Sequence, residues 1–179
     1  MTPRMRPALF LWASLVVCSF LFAPMVFMVP PPPTPPQPFM LPGLVLVAAA
    51  MAVASVLLPR QMFRKAVTEA LTPLIVERAN PAAEVMFREA APPQKVFDDP
   101  QAAWAKALVA NLKPSRVAVT YPMAVALMGV MAAKLGFALE TGIPFLIVCW
   151  LLQIACFPTE ARVAAAVKAA TGVELPLGS

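Results

Sequence analysis

No Asp, Glu, Lys or Arg occurs between Arg6 and Arg60, a charge-free stretch of 53 residues. Such a stretch cannot form the exterior of a soluble domain, where charged side chains keep the surface in water. The whole chain leans the same way: 60% of its 179 residues are hydrophobic, 13% are charged, and the mean hydropathy is +0.77. These values predict an integral membrane protein.

Two apolar runs lie within or against that stretch. Ala8 to Val29 has 22 residues; as a helix it rises about 33 Å, enough for a hydrocarbon core of about 30 Å. Pro24 predicts a kink in its last third, because the ring removes a backbone bond that neighbouring helices must replace. Arg4 and Arg6 resemble the basic start of a signal peptide, but the apolar run is too long for one and no A-x-A cleavage pattern follows. The second run, Phe39 to Leu58, carries Gly43, Ala48, Ala52 and Ser55, small side chains that admit a close neighbour. Between the runs, Pro30 to Pro38 in polyproline II form reaches roughly 28 Å, whereas packed helices need only about 8–10 Å bridged. The loop is longer and stiffer than closure requires.

Composition changes at Arg60. From there to Arg116 the chain holds nine Lys or Arg and six Asp or Glu. Phe63, Val67, Ala70, Leu71 and Leu74 recur at helical spacing, which predicts an amphipathic helix bent at Pro73. Asn80 with Pro81, and Asp99 with Pro100, predict two further helix starts, with "APPQK" at 91–95 as the linker between them. Trp104, Leu108 and Leu112 form a stripe on the second of these helices.

Val117 to Leu139 predicts a third span, with Thr120 as the cap of a helix beginning at Tyr121, and Ile143 to Phe157 a short fourth, joined by a tight "LETG" turn. Thr159 as N-cap and Gly172 as stop bound a C-terminal helix. The expected fold is therefore an all-α integral membrane protein of four transmembrane helices in two hairpins. Residues 1–58 form the first hairpin with its proline loop at about 30–38, 59–116 a helical cytosolic connection, 117–158 the second hairpin, and 159–179 a C-terminal amphipathic helix and tail.

Four spans put both termini and the middle segment on one side. That side carries 13 of the 14 Lys and Arg, all but Lys134, so the positive-inside rule makes it cytoplasmic. In topology the chain resembles small four-helix bacterial inner-membrane proteins, a likeness that transfers no functional residue.

Chemistry is sparse. The chain has no histidine, which removes imidazole bases and His-ligated metals or haem. Cys18, Cys149 and Cys156 lie in apolar runs without CxxC spacing and read as packing residues. No carboxylate falls mid-span to carry a proton, and the cytosolic acids show no metal-ligand order. No cofactor is expected, and a positive net charge that topology already explains gives no reason for a nucleic-acid partner.

Two features remain as sites. Ala126, Gly129, Ala132, Ala133 and Gly136 form a small-residue flank suited to close helix packing, within the chain or between subunits, with Gln153 as an interhelical hydrogen-bonding residue. Lys134 is the candidate functional cation, weighed against a side chain that simply reaches the outer interface. The expected function is non-catalytic: an accessory, assembly or structural subunit of a bacterial inner-membrane complex, with anionic headgroups and other membrane subunits as partners. The alternative is a small transporter or channel component acting as a homo-oligomer, and a membrane enzyme ranks below both.

Overall fold

The computed structural model describes residues 5–28, 30, 37–78 and 93–176. Its helices are α1 (Arg6–Phe20), α2 (Phe22–Met28), α3 (Met40–Leu71), α4 (Pro100–Lys134), α5 (Leu139–Ala155) and α6 (Glu160–Thr171). A two-stranded antiparallel ribbon, β1 (Ile75–Arg78) and β2 (Gln94–Phe97), lies between α3 and α4 in sequence. Three helical stretches, Arg6–Met28, Met40–Leu74 and Pro100–Lys134, are long and apolar enough to cross a membrane. Their length and composition are those of membrane-spanning helices.

The chain folds as two compact units, Met1–Arg60 with Lys113–Pro158, and Gln61–Leu112 with Thr159–Ser179. In the first, Val26 of α2, Ala126 and Val130 of α4, and Leu146 and Cys149 of α5 form one buried cluster. Ala48 of α3, Val125 of α4 and Phe145 of α5 form another. Outside these clusters the helices turn Leu46, Val53, Ile147, Leu151 and Ile154 outward, the inverse of a soluble bundle and the surface that lipid requires.

The second unit is built on amphipathic spacing. Phe63, Val67 and Leu71 are buried on the last turns of α3, Ala103, Trp104 and Ala107 on the first turns of α4, and Val163 and Val167 on α6. Asp99 caps α4, its carboxylate accepting from the N–H groups of Gln101 at 2.8 Å and Ala102 at 3.1 Å. Thr159 caps α6 by accepting from Arg162 N–H, and Gly172 ends it with φ of +76°. The tail then buries Val173 and Leu175, while the Trp104 indole donates to the Pro176 carbonyl at 2.9 Å.

The observed elements correct several sequence expectations. The first run breaks at Leu21 rather than at Pro24 itself. Proline at 24 disrupts the turn before it, because its ring meets the carbonyl four residues back, that of Phe20. Leu21 N–H bonds instead to the Cys18 carbonyl at 3.1 Å. Helix α3 does not stop at Pro59 but continues to Leu71. One lost backbone bond does not end a helix whose next three turns bury an apolar stripe.

Likewise α4 runs unbroken through Pro114 and Pro122, where two helices were expected. Thr120 caps nothing there; its hydroxyl donates to the Arg116 carbonyl at 2.8 Å, a bond made inside a continuing helix. The helix ends at Lys134, short of Leu139. "LETG" is not the turn: it is the first turn of α5, which starts at Leu139 and has 17 residues. The connection is Leu135 to Ala138, set by Gly136 at φ of +87°.

Helix was also expected over Leu74–Glu77, and linker at 91–95. The ribbon takes Ile75–Arg78 and, of that linker, Gln94 and Lys95, pairing Ile75 with Phe97 and Val76 with Val96; residues 91 and 92 lie outside the described residues. Pro73 ends the helical register, and the β-branched pair Ile75–Val76 then suits a strand. Arg4, most of the proline loop (31–36) and the helix expected from Asn80 and Pro81 lie outside the described residues.

Candidate functional site

The small-residue flank of α4 faces the chain's own elements. Ala126 and Ala132 are fully buried, and Ala133 packs on the cluster containing Val26, Leu146 and Cys149. At Gly129 two backbones come close. A Cβ there would lie 2.8 Å from the Gly142 carbonyl oxygen and 3.0 Å from Phe145 Cβ; one on Gly142 would lie 3.2 Å from the Gly129 oxygen. A side chain at Gly129 would force the backbones apart, and one at Gly142 would need its neighbours to give by a few tenths of an ångström; small residues let membrane helices meet in this way.

Gly136 has a different role from its neighbours in the flank. It occupies the left-handed position after α4, with its N–H on the Ala133 carbonyl at 3.0 Å and Phe137 N–H on the Ala132 carbonyl at 3.2 Å. This is a Schellman closure, and it ends the helix. Lys134, the last residue of α4, is exposed, and its charge complements the negative end of the helix dipole.

Gln153 is 1% exposed and joins α5 to α1 at two points. Its backbone carbonyl accepts from the Trp12 indole at 2.9 Å, and its carboxamide Oε1 lies 2.9 Å from Ser19 Oγ. Ser19 Oγ also lies 2.7 Å from the Val16 carbonyl. A hydroxyl has one proton, so it serves one of these acceptors at a time. Turning the carboxamide over lets Nε2 donate to Ser19 while Ser19 donates to Val16, and in either orientation the other end of the carboxamide is buried without a partner among the described residues. Beside this contact Phe20 stacks on Trp150 at 5.0 Å, and Trp12 meets Phe157 edge-on at 4.9 Å.

Between α3 and α5 lies a groove of about 370 Å³, its lining apolar apart from Thr141. Elsewhere the polar groups are capping and surface residues. The exposed side chains of Asp98 and Arg78 pair at 3.2 Å, and Lys168 bonds to Glu174. That bond holds the exposed Glu174 carboxyl below its usual range, through the hydrogen bond first and the lysine's charge second. Among the described residues no three Cys, Asp or Glu side chains converge as a metal site, and the buried polar side chains are Ser19, Ser55 and Gln153.

Sequence reasoning missed Gly142, Trp12 and the groove. Gly142 was hidden in a tetrapeptide with the chemistry of a turn, and Trp12 had no visible partner across 141 positions. Compared with family models, curated proteins and solved structures, the chain matches none.

Proposed function

We propose that this chain is a non-catalytic, multi-pass protein of a bacterial inner membrane, serving as an accessory, assembly or structural subunit of a larger complex. In this reading α5 is the fourth span, both termini and the 59–116 segment are cytoplasmic, and anionic headgroups lie against the flanking basic residues.

The observation that carries the subunit reading is α3. Of its membrane portion only Ala48 and Ser55 are buried, while Val45, Leu46, Val47, Val53 and Leu57 face outward. Helices in lipid associate by contact rather than by hydrophobic drive, so an open face set with small residues is suited to a neighbouring subunit. The α4 flank is already filled from within the chain, which moves the docking surface to α3.

Mild-detergent purification from native membranes tests this. A stoichiometric partner is expected, and its loss when Val53 and Leu57 are both changed to Phe, with the protein still inserted. A monomer in every detergent, or a homo-oligomer conducting a solute, would sink the subunit reading; the second result would favour a transporter or channel component.

A further inference from the structure

Two buried donors on α5 have no acceptor. Among the described residues, Trp150 Nε1 and Gln153 Nε2 are both sealed from solvent without a hydrogen-bond partner. They belong to side chains three positions apart on one helix, which are neighbours with Cβ atoms about 5–6 Å apart. Both side chains meet the same turn of α1. Gln153 Oε1 lies 2.9 Å from Ser19 Oγ, and the Trp150 ring stacks on Phe20 at 5.0 Å.

That turn of α1 is short of donors. The helix breaks at Leu21, whose N–H goes to the Cys18 carbonyl rather than to Val17. Pro24 has no N–H to offer the Phe20 carbonyl four residues back. Donors without acceptors on α5 therefore face a backbone whose carbonyls have lost donors, and each such group is costly to leave bare in apolar surroundings.

The chemistry of these groups selects what joins them. An indole N–H only donates. The Gln153 carboxamide leaves over a donor in one orientation and an acceptor in the other, since either end can serve Ser19. A carbonyl or an anion only accepts, and a cation is repelled by the indole N–H. Water accepts and donates at once, makes two to four bonds in buried sites, and reaches about 5.5–6 Å with two of them. It is also small enough to be enclosed where Gln153 is 1% and Ser19 0% exposed.

We propose that one water molecule is built into the seam between α1 and α5. It accepts from Trp150 Nε1, pairs with the free end of the Gln153 carboxamide, and donates to the Phe20 carbonyl. The break in α1 then packs against α5 without a stranded polar group. The site lies within this chain and is present with or without a partner subunit.

The test uses the full-length protein in deuterated detergent, isotope-labelled at the indole nitrogens. The chain has three tryptophans, so replacing Trp12, Trp104 and Trp150 by Phe in turn assigns the three signals. A rotating-frame Overhauser experiment on the water signal follows, in which contact and proton exchange have opposite signs. A contact peak is expected at Trp150 Hε1, and one at least fivefold weaker at Trp12 Hε1, which is already paired with the Gln153 backbone carbonyl. Gln153→Leu should cut the Trp150 peak at least threefold. The backbone carbonyl at 153 survives that change, so an unmoved Trp12 signal shows that α1 still meets α5. Gln153→Met takes its place if the Trp12 signal moves.

No contact peak at Trp150, or equal peaks at Trp150 and Trp12, overturns the proposal. So does a Trp150 peak that neither variant reduces, because the water would then not be shared with the carboxamide. A downfield-shifted Trp150 indole proton without a water peak also overturns it, and would mean that the indole bonds to the carboxamide directly.

Discussion

Adding one methyl group at two glycines should have opposite effects. Gly43 and Gly129 both lie in helices, and alanine is favoured over glycine there by up to about 1 kcal/mol. At Gly43 a new Cβ meets nothing within 4 Å, so Gly43→Ala keeps that gain. At Gly129 the Cβ would stand 2.8 Å from the Gly142 carbonyl oxygen, and because that atom is backbone, two helices must move apart. Overpacking of this kind costs about 1–3 kcal/mol. The propensity gain is common to both changes, so their difference isolates the clash at about 1–3 kcal/mol. For a chain of this size that separates their melting temperatures by about 2–12 °C. Thermal unfolding in one detergent, followed by tryptophan fluorescence, makes the comparison. Equal melting temperatures, or Gly129→Ala the more stable of the two, would refute the idea that α4 and α5 meet backbone to backbone. Gly129→Leu should be worse still, while Leu127→Ile on the exposed face should behave like the parent.

Four other expectations complete the set. In a cysteine-free background of intact cells, Gln37→Cys should react with an impermeant maleimide and Gln94→Cys should react only after permeabilisation; the reverse pattern would invert the orientation. Ser19→Ala should lower stability in detergent by about 1 kcal/mol, the usual worth of an interhelical hydrogen bond, and should do so no longer once Gln153 is already leucine. Trp104→Phe removes the donor to the Pro176 carbonyl, and limited proteolysis should then clip the chain after Gly172 sooner than in the parent. The Lys168–Glu174 bond lowers the folded pKa of Glu174, so its contribution is present above the ordinary carboxylate range and lost as pH falls through the lowered value. Amide exchange at Val173 to Leu175 should accelerate across that acidic window, and Glu174→Gln should abolish the acceleration.

Which parts of this fold the sequence disclosed depends on how local their causes are. Apolar runs of some twenty residues predicted helices, the spacing of Phe63, Val67 and Leu71 marked a buried stripe, and Asp99, Thr159 and Gly172 bound their helices as capping chemistry dictates. Prolines misled. Pro59, Pro114 and Pro122 each remove one bond, but the residues on either side continue the same apolar face, and packing outweighs a single lost bond. The connection after α4 was misplaced by four residues because Gly136 and Gly142 compete for the turn. Only the fold shows that Gly136 takes the left-handed position while Gly142 is held against Gly129. Of the candidate site, the small residues of α4 could be read as a closely approached surface, but not what approaches them. A lone glutamine gives no address for its partner, and Ser19 lies 134 positions from Gln153.

That last separation sets an order of events during synthesis. The indole of Trp12 finds its acceptor only when Gln153 has been added, 141 residues later. At about 5–20 residues per second the wait is roughly 7 to 28 s. In the membrane reading proposed above, α1 spends that interval in the bilayer without its final neighbour. Its serines need no help, since Ser14 and Ser19 donate to the carbonyls of Phe10 and Val16 on the same helix. Trp12 has no such local outlet, and indole N–H groups favour the headgroup boundary, where water or a phosphate oxygen can accept. Gly129 and Gly142, thirteen positions apart, can meet as soon as their hairpin is made. The contact that ties the first helix to the fifth therefore closes after the Gly129–Gly142 approach, and a chain halted before residue 153 lacks the acceptor of the Trp12 indole.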